Sequence, residues 1–442
     1  MTAVTHSAHR RWTHRALPLA VAFLALAAAP AGAAAAASKD EAPRAALQRL
    51  LDGSRRLAAA KADVEGSEAG VSRAKAGWYP ELRVTTDAGR EVQRTPYSET
   101  RLPTVQLGAS LRQPLLDFGR IGGEIEKAQL TRQQSDASFR DAVQDVILEG
   151  LSAYINVVRT RQMTDYAQQS VRNIEKQTGL EESRVDLGGG YASDVLQAKS
   201  QLAGARARLA RAQGTNVSAV NRYRAVFDEP PPANARMVAF PPSALPRSLD
   251  DAIARALETS PQSELGRLSV DIARAEVTRV RGAELAPRIE AVIEVGNKRN
   301  AQGLAGTKRE EAYKVQLTMP LNLGMAPLHS IESAQAAARA SSSRYADRRM
   351  TIEEQVRNAW QTLETARETH AFFDNQARIA AEFLRLAREE REQGRRSLID
   401  VLAGETSLYS AQSDAASAQA DVNIAAFTLL RVIGALDLDA LP

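Results

Sequence analysis

Two halves of this 442-residue chain repeat each other at one fixed spacing, and that spacing limits the possible folds more than any other feature. Asp194-Val195-Leu196 returns as Asp400-Val401-Leu402, and Gly188 as Gly394. Ala153-Tyr154 returns as Ala359-Trp360, Leu111 and Pro114 as Leu317 and Pro320, and Ser54 as Ser260. Each pair is 206 residues apart; Pro80 and Pro287 differ by one residue more. So long a period excludes short solenoid repeats and makes each copy a whole subdomain. The copies are expected at 38–229 and 248–436, joined by a proline-rich linker at 230–247 that cannot be helical, with a short tail at 437–442.

Within each copy the order is legible. A helical stretch of about forty residues (41–78; 248–285) stops before Pro80 or Pro287. Two alternating segments follow, then a very long proline-poor helix (120–186; 326–391), a glycine break, and a second helix of about forty (192–228; 398–435). At 1.5 Å per residue the long helices are rods of about 100 Å. Val143, Val146, Ile147, Leu151, Tyr154, Ile155 and Val158 form a narrow apolar seam along the first. The helices alone are equally those of a coiled-coil stalk.

The alternating segments narrow the choice. In 81–92, Leu82, Val84, Thr86 and Ala88 share one face, and Arg83, Thr85, Asp87 and Glu91 the other. In 104–113, Val105, Leu107, Ala109 and Leu111 oppose Thr104, Gln106, Ser110 and Arg112. In 288–296, Ile289, Ala291, Ile293 and Val295 alternate with Glu290 and Glu294. In 312–319, Tyr313, Val315, Leu317 and Met319 alternate with Lys314, Gln316 and Thr318. Nine to eleven residues of this pattern suit a tilted strand crossing a bilayer. A soluble sheet packed on a helix would show the same alternation, but no partner layer is evident. Gln93–Pro103 and Asn297–Glu310 are expected to be loops longer than tight turns.

Four strands cannot close a barrel, and open edges are not tolerated in lipid, so strands must be pooled between copies. Two chains would make a bore filled by side chains, and three a wet lumen. The charged face (Arg83, Asp87, Arg112, Glu290, Glu294, Lys314) favours water, and hence a cyclic homotrimer with twelve strands. The fold class expected is an α+β membrane protein with an internal two-fold repeat.

Composition agrees. Residues 1–37 read as a secretory signal: Arg10, Arg11 and Arg15, an apolar run from Leu17 to Ala29, then A-x-A sites. Removing them takes the formal charge from +4 to near +1, so no nucleic-acid partner is expected. There is no cysteine, hence no disulfide, thiolate metal site or lipidated N-terminal cysteine. Of the histidines only His329 and His370 lie beyond the signal, too far apart to read as a metal site. No catalytic or phosphate-binding motif is present; Gly303–Lys308 lacks phosphate-loop spacing. Neither enzyme nor cofactor is expected.

This arrangement resembles the TolC family of outer-membrane channel proteins over about residues 41–437. The resemblance is carried by the helix–hairpin–long-helix order in both copies, the approach to Pro80 and Pro287, and Gln113-Pro114-Leu115 with Met319-Pro320-Leu321. Most specific are the turns from Leu187-Gly188 to Asp194-Val195-Leu196 and from Gln393-Gly394 to Asp400-Val401-Leu402. It implies a trimeric barrel continued by an α-helical tunnel through the periplasm, with the short helices stacked beside each long one. It also implies export of drugs or secreted proteins, driven by an inner-membrane transporter through a periplasmic adaptor. Gly188, Gly189, Gly190 and Gly394 would meet that adaptor. Asp400 falls on an aperture aspartate and Arg396 on an arginine that locks neighbouring coils, with Asp194 as its partner. Ala403 and Arg391 depart from the family pattern, which carries an aspartate and a tyrosine there in some members. A plainer role for Asp194 and Asp400 is a favourable carboxylate in a helix's first turn. The run Glu389–Glu392 reads as a solvated helix face. The alternative overall reading is a periplasmic coiled-coil adaptor or scaffold.

Overall fold

Where hydrophobic spacing changes from period two to period 3.6, the backbone changes with it. The computed structural model describes residues 43–438, apart from positions 241, 320 and 322. The signal segment, Pro241, Pro320 and the last four residues lie outside the described residues. The elements in order are α1 (Pro43–Gly53), α2 (Arg55–Ala76), β1 (Glu81–Thr95), β2 (Ser98–Leu116), α3 (Arg120–Asp186), α4 (Ala192–Phe227), α5 (Leu249–Thr259), α6 (Pro261–Glu284), β3 (Arg288–Arg299), β4 (Thr307–Thr318), α7 (Ala326–Glu392) and α8 (Leu398–Val432). Both long helices have 67 residues, within one residue of expectation. α2, α4, α6 and α8 pack along α3, and α5, α6 and α8 along α7.

Three expectations are corrected. The first helix of each half is two helices, not one. Ser54 and Ser260 leave the helical region (ψ 116° and 137°), and their hydroxyls accept from the amides of Leu57 and Ser263. These side chains satisfy amides freed by the break and so start a new helix. Gln93–Pro103 is not a loop: β1 and β2 pair as far as Thr95 and Ser98, leaving only Pro96-Tyr97 as the turn. This stretch is polar on both faces, so alternation does not reveal it, yet the ladder continues, stapled by Glu99 to Arg94 (3.2 Å) and Arg101 (2.6 Å). β4 likewise starts at Thr307, leaving a loop of 300–306. Finally, among its described residues the linker is irregular except for one tight helical turn at Pro242–Ala244, and it is held by Arg161, whose guanidinium donates to the carbonyls of Pro232 and Ala233.

The main apolar core lies midway along the rods. Ile147, Leu151, Tyr154, Ile155 and Val158 of α3 meet Leu47 and Leu50 of α1, Tyr223 of α4, Ile352, Val356 and Leu363 of α7, and Phe427 and Leu430 of α8. The predicted seam is this core's centre; Val143 packs at its margin. Nearer the sheet, α3 and α6 touch backbone to backbone. A methyl on Gly282 would lie 2.6 Å from the Arg120 nitrogen, and one on Gly123 2.9 Å from the Arg279 backbone. Only glycine fits that crossing.

An ion-pair stitch borders it. Glu276 accepts from Arg279 at 2.8 Å and meets Lys127 of α3 at 3.1 Å, and these cations hold its carboxyl at about 2 against an ordinary 4.5. A carboxylate depressed in the fold stabilises it above its unfolded value, and that contribution is lost as pH falls towards the folded value. Thermal melts of the wild type from pH 5 to pH 2 should therefore drop more steeply than those of Glu276→Gln. Parallel curves would assign the stitch no role.

Candidate functional site

Two regions carry the chain's distinctive chemistry: the four-stranded sheet and the far tip of the rods. The sheet order is β1-β2-β3-β4, antiparallel throughout, so β2–β3 pairing fuses the two hairpins. Its registers align one apolar face across all four strands. Leu82 faces Leu111, then Ile293, then Tyr313; Val84 faces Ala109, then Val295. Much of this face is exposed, Leu82 at 65%, Val84 at 62%, Val315 at 70% and Leu317 at 64%, while Ala109 and Leu111 are half-buried. From Leu82 to Ala88 the band spans about 20 Å along the strand. An exposed apolar surface this continuous needs a non-aqueous neighbour.

The opposite face holds every charged residue expected there. Arg83, Asp87 and Arg112 alternate away from the apolar set, as do Glu290, Glu294 and Lys314. Lys314 and Glu294 pair at 3.0 Å across β3–β4, and Arg83 meets Glu81 at 2.8 Å. At the helix-side end Trp78, Tyr79 and Phe118 are exposed beside Leu115, Leu116 and Leu323. This is a partial aromatic belt at the place where a bilayer interface would lie. Asp117 shapes the passage from sheet to rod: its buried carboxylate accepts from the amides of Gly119 and Ile121, capping α3.

At the tip both long helices end in the same hydrogen-bonded turn. Gly188 donates to Val185 and Gly189 to Arg184; Gly394 donates to Arg391 and Arg395 to Glu390. This closure requires a left-handed residue, supplied by Gly188 (φ 82°) and Gly394 (φ 72°). A side chain on Gly190 would crowd Val185 at 3.0 Å, whereas one on Gly189 would meet Arg184 at an ordinary 3.5 Å. Asp400 stands in the first turn of α8, three residues after Ser397, whose hydroxyl accepts from its amide at 3.2 Å. Asp194 holds the same position in α4.

Arg396 stacks over Phe383 at 5.1 Å and pairs with Glu390 (3.2 Å) and, loosely, Asp400 (3.9 Å). Within one chain its partners are therefore these two and not Asp194. Glu389, Glu390 and Glu392 are exposed, as expected of a solvated helix face, but Arg391 is not. Its guanidinium is only 20% exposed and bonds Glu181 of α3 at 2.5 Å, while also donating to the Arg396 carbonyl at 3.3 Å. Glu181 is 5% exposed at the side chain. One turn back, buried Glu405 takes Arg388 and the amide of Asn173, 3.1 Å away. These ties join α3 to α7 and α8. Sequence reasoning missed them, although Arg388 and Arg391 continue the spacing of buried Leu384 and Ala387.

Among the described residues there is no His, Asp or Glu grouping able to hold a metal, and no helix long and apolar enough to cross a membrane.

A sheet with one exposed apolar face, carried on rods of about 100 Å, is the build of a membrane-anchored protein. The chain belongs to the family of outer membrane efflux proteins, which matches residues 46–226 and 252–435. It is 26% identical over 418 residues to the outer membrane efflux protein BepC of Brucella suis biovar 1, covering 92% of this chain and 88% of that one. It is also 26% identical over 341 residues to the alkaline protease secretion protein AprF of Pseudomonas aeruginosa, covering 74% and 69%. The fold matches the outer-membrane channel OprN with a TM-score of 0.75 at 19% identity, over 89% and 90% of the two chains. Membership makes this an outer-membrane channel protein, not an enzyme, and sets aside the scaffold alternative.

Proposed function

We propose that three copies of this chain assemble into a single twelve-stranded barrel and a continuous helical tunnel, forming the exit duct of a tripartite export system. The observation that carries this reading is the sheet. It has an outward apolar face, a charged opposite face and two edges, on β1 and β4, with no partner among the described residues. Open edges cannot persist in lipid, and identical neighbours are the simplest way to pair them. Arg83, Asp87, Arg112, Glu290, Glu294 and Lys314 then line a wet lumen of mixed sign, suited to passive conduction of polar cargo. The duct requires an inner-membrane transporter for energy and a periplasmic adaptor to meet the tip at Gly188–Gly190 and Gly394. The two halves of the chain, 38–229 and 248–436 about the 230–247 linker, act as duplicated units; the matching breaks at Ser54 and Ser260 and the matching turns at Gly188 and Gly394 support that reading.

The tip is the gate. Asp400, with Asp194 on the adjoining coil, contributes to a threefold acidic ring, and Arg396 restrains the ring by pairing with carboxylates around it. In planar bilayers Asp400→Ala should relieve block by multivalent cations, and Arg396→Ser should raise conductance. Unchanged block and conductance in both would leave Asp400 as a helix-capping residue only. The assembly itself is tested by heat-resistant migration of a trimer from the outer-membrane fraction; a monomer there would overturn the duct.

A further inference from the structure

Beyond its apolar band, the outward face of the sheet turns basic at the hairpin end. The residues continuing that face are Arg90, Val92 and Arg94 on β1, Pro103, Arg101 and Glu99 on β2, Asn297 and Arg299 on β3, and Glu311, Arg309 and Thr307 on β4. Five arginines thus stand against two carboxylates. Glu99 is shared by Arg94 and Arg101, and Glu311 takes Arg309 at 2.8 Å. Arg90 and Arg299 have no ion-pair partner among the described residues, and both are exposed.

The level of these charges is set by the register. The first charged outward residue is Arg90 on β1 but Glu311 on β4, and the rung of Glu311 runs through Val295 and Ala109 back to Val84. From β2 to β4 the boundary therefore steps along the rungs, with Arg101 opposite Val92, Arg299 in line with Ala88 and Glu311 in line with Val84, an offset of the kind tilted barrel strands need to carry a level edge. The charges beyond this boundary form a belt at the margin of the apolar band and on the same face. The inward face at that height is differently organised: Glu310 is clamped between Lys298 (2.6 Å) and Lys308 (2.7 Å).

Resting on the barrel reading, we propose that this outward arginine belt binds the phosphate groups of lipids in the outer leaflet of the membrane. Guanidinium groups match phosphate oxygens bidentately and stay charged at any physiological pH. A basic belt that begins where the hydrocarbon-facing surface ends lies at headgroup depth, where each cation near an anionic surface adds to the attraction. In the trimer the belt recurs three times, so bound lipids would form an annulus that fixes the barrel's depth in the bilayer.

The test uses the full assembled protein in nanodiscs or detergent, with bis-phosphorylated lipid A, its phosphate-free analogue and inorganic phosphate as probes, and native mass spectrometry or thermal shift as the readout. Wild type should retain the phosphorylated lipid preferentially. Arg90→Gln/Arg299→Gln/Arg309→Gln should weaken that binding on the order of tenfold or more, and lysine at the same positions should restore part of it through charge while losing the bidentate contacts. Lys298→Gln/Lys308→Gln, on the inward face, should leave it unchanged. Equal binding by wild type and the triple glutamine variant, equal loss from the inward pair, or an equal response to the phosphate-free analogue would each overturn the belt. An equal effect of inorganic phosphate would overturn the assignment to lipid. If the triple variant does not assemble, Arg90→Gln and Arg299→Gln singly carry the same comparison. Failure of wild type to insert into vesicles would refute the barrel itself, whereas insertion with no phosphate preference refutes only the belt.

Discussion

Val84→Arg should abolish assembly of the membrane-inserted oligomer, while Thr85→Arg, one residue along the same strand, should be tolerated. Both positions are in β1 and both are exposed, so neither change disturbs a packed core within the chain. They differ only in face: Val84 sits on the rung of Ala109 and Val295, and Thr85 on that of Gly108 and Gly296. An arginine facing lipid near the bilayer midplane destabilises a barrel by about 2–4 kcal/mol, whereas a lumen-facing one meets water. Cyclic symmetry repeats the penalty in every copy, so the total for a trimer is about 6–12 kcal/mol. That is comparable with the entire stability of a typical domain. Heat-resistant oligomer in the outer-membrane fraction is the measurement. Equal assembly by the two variants, or the opposite ranking, would show that the apolar face does not meet lipid.

The second large effect is expected at the tip. Removing Arg391 leaves Glu181 buried with no cation, and breaking a buried pair in this way costs about 3–5 kcal/mol. The loss is local, since the main core lies midway along the rods while the tip depends on small clusters around Ile174, Leu398 and Leu402 and around Leu384 and Val401. Arg391→Ala should therefore loosen α3 from α7 at the tip without unfolding the protein, raising both single-channel conductance and protease sensitivity near Gly188 and Gly394. Glu181→Gln should do so less, because it removes the buried charge together with its partner's role. A double variant, Glu181→Gln with Arg391→Leu, should recover much of the closure, since replacing both ions by neutral groups avoids an unpaired charge. If Arg391→Ala conducts and digests like the wild type, the tie does not restrain the tip.

Much of this architecture is local and therefore legible in the sequence. Helix-forming composition and 3.6-residue spacing placed α3 and α7 within a residue of their ends. Glycine's unique access to positive φ marked the tip turns, and period-two alternation sorted the two faces of all four strands. Each of these depends on neighbours within a few positions. The course of 93–103 depends on pairing across the hairpin: polar residues wet on both faces carry no alternation signal, although their backbones still form the ladder. The breaks at Ser54 and Ser260 were visible as a matched pair of serines, but a serine inside a helical pattern does not announce that its hydroxyl will cap a new helix. The tip ties show the limit most plainly. Arg391 is one arginine among many charges on a long helix, and only the packing of α3 against α7 brings Glu181, 210 positions earlier, within 2.5 Å. The sequence by itself thus determined the rods, the turns and the two-faced strands, because those follow from backbone sterics and local solvent preference. The tertiary structure alone decided which charges are buried, which partners they take and where the apolar band ends, because those depend on register and on contacts between segments far apart in the chain.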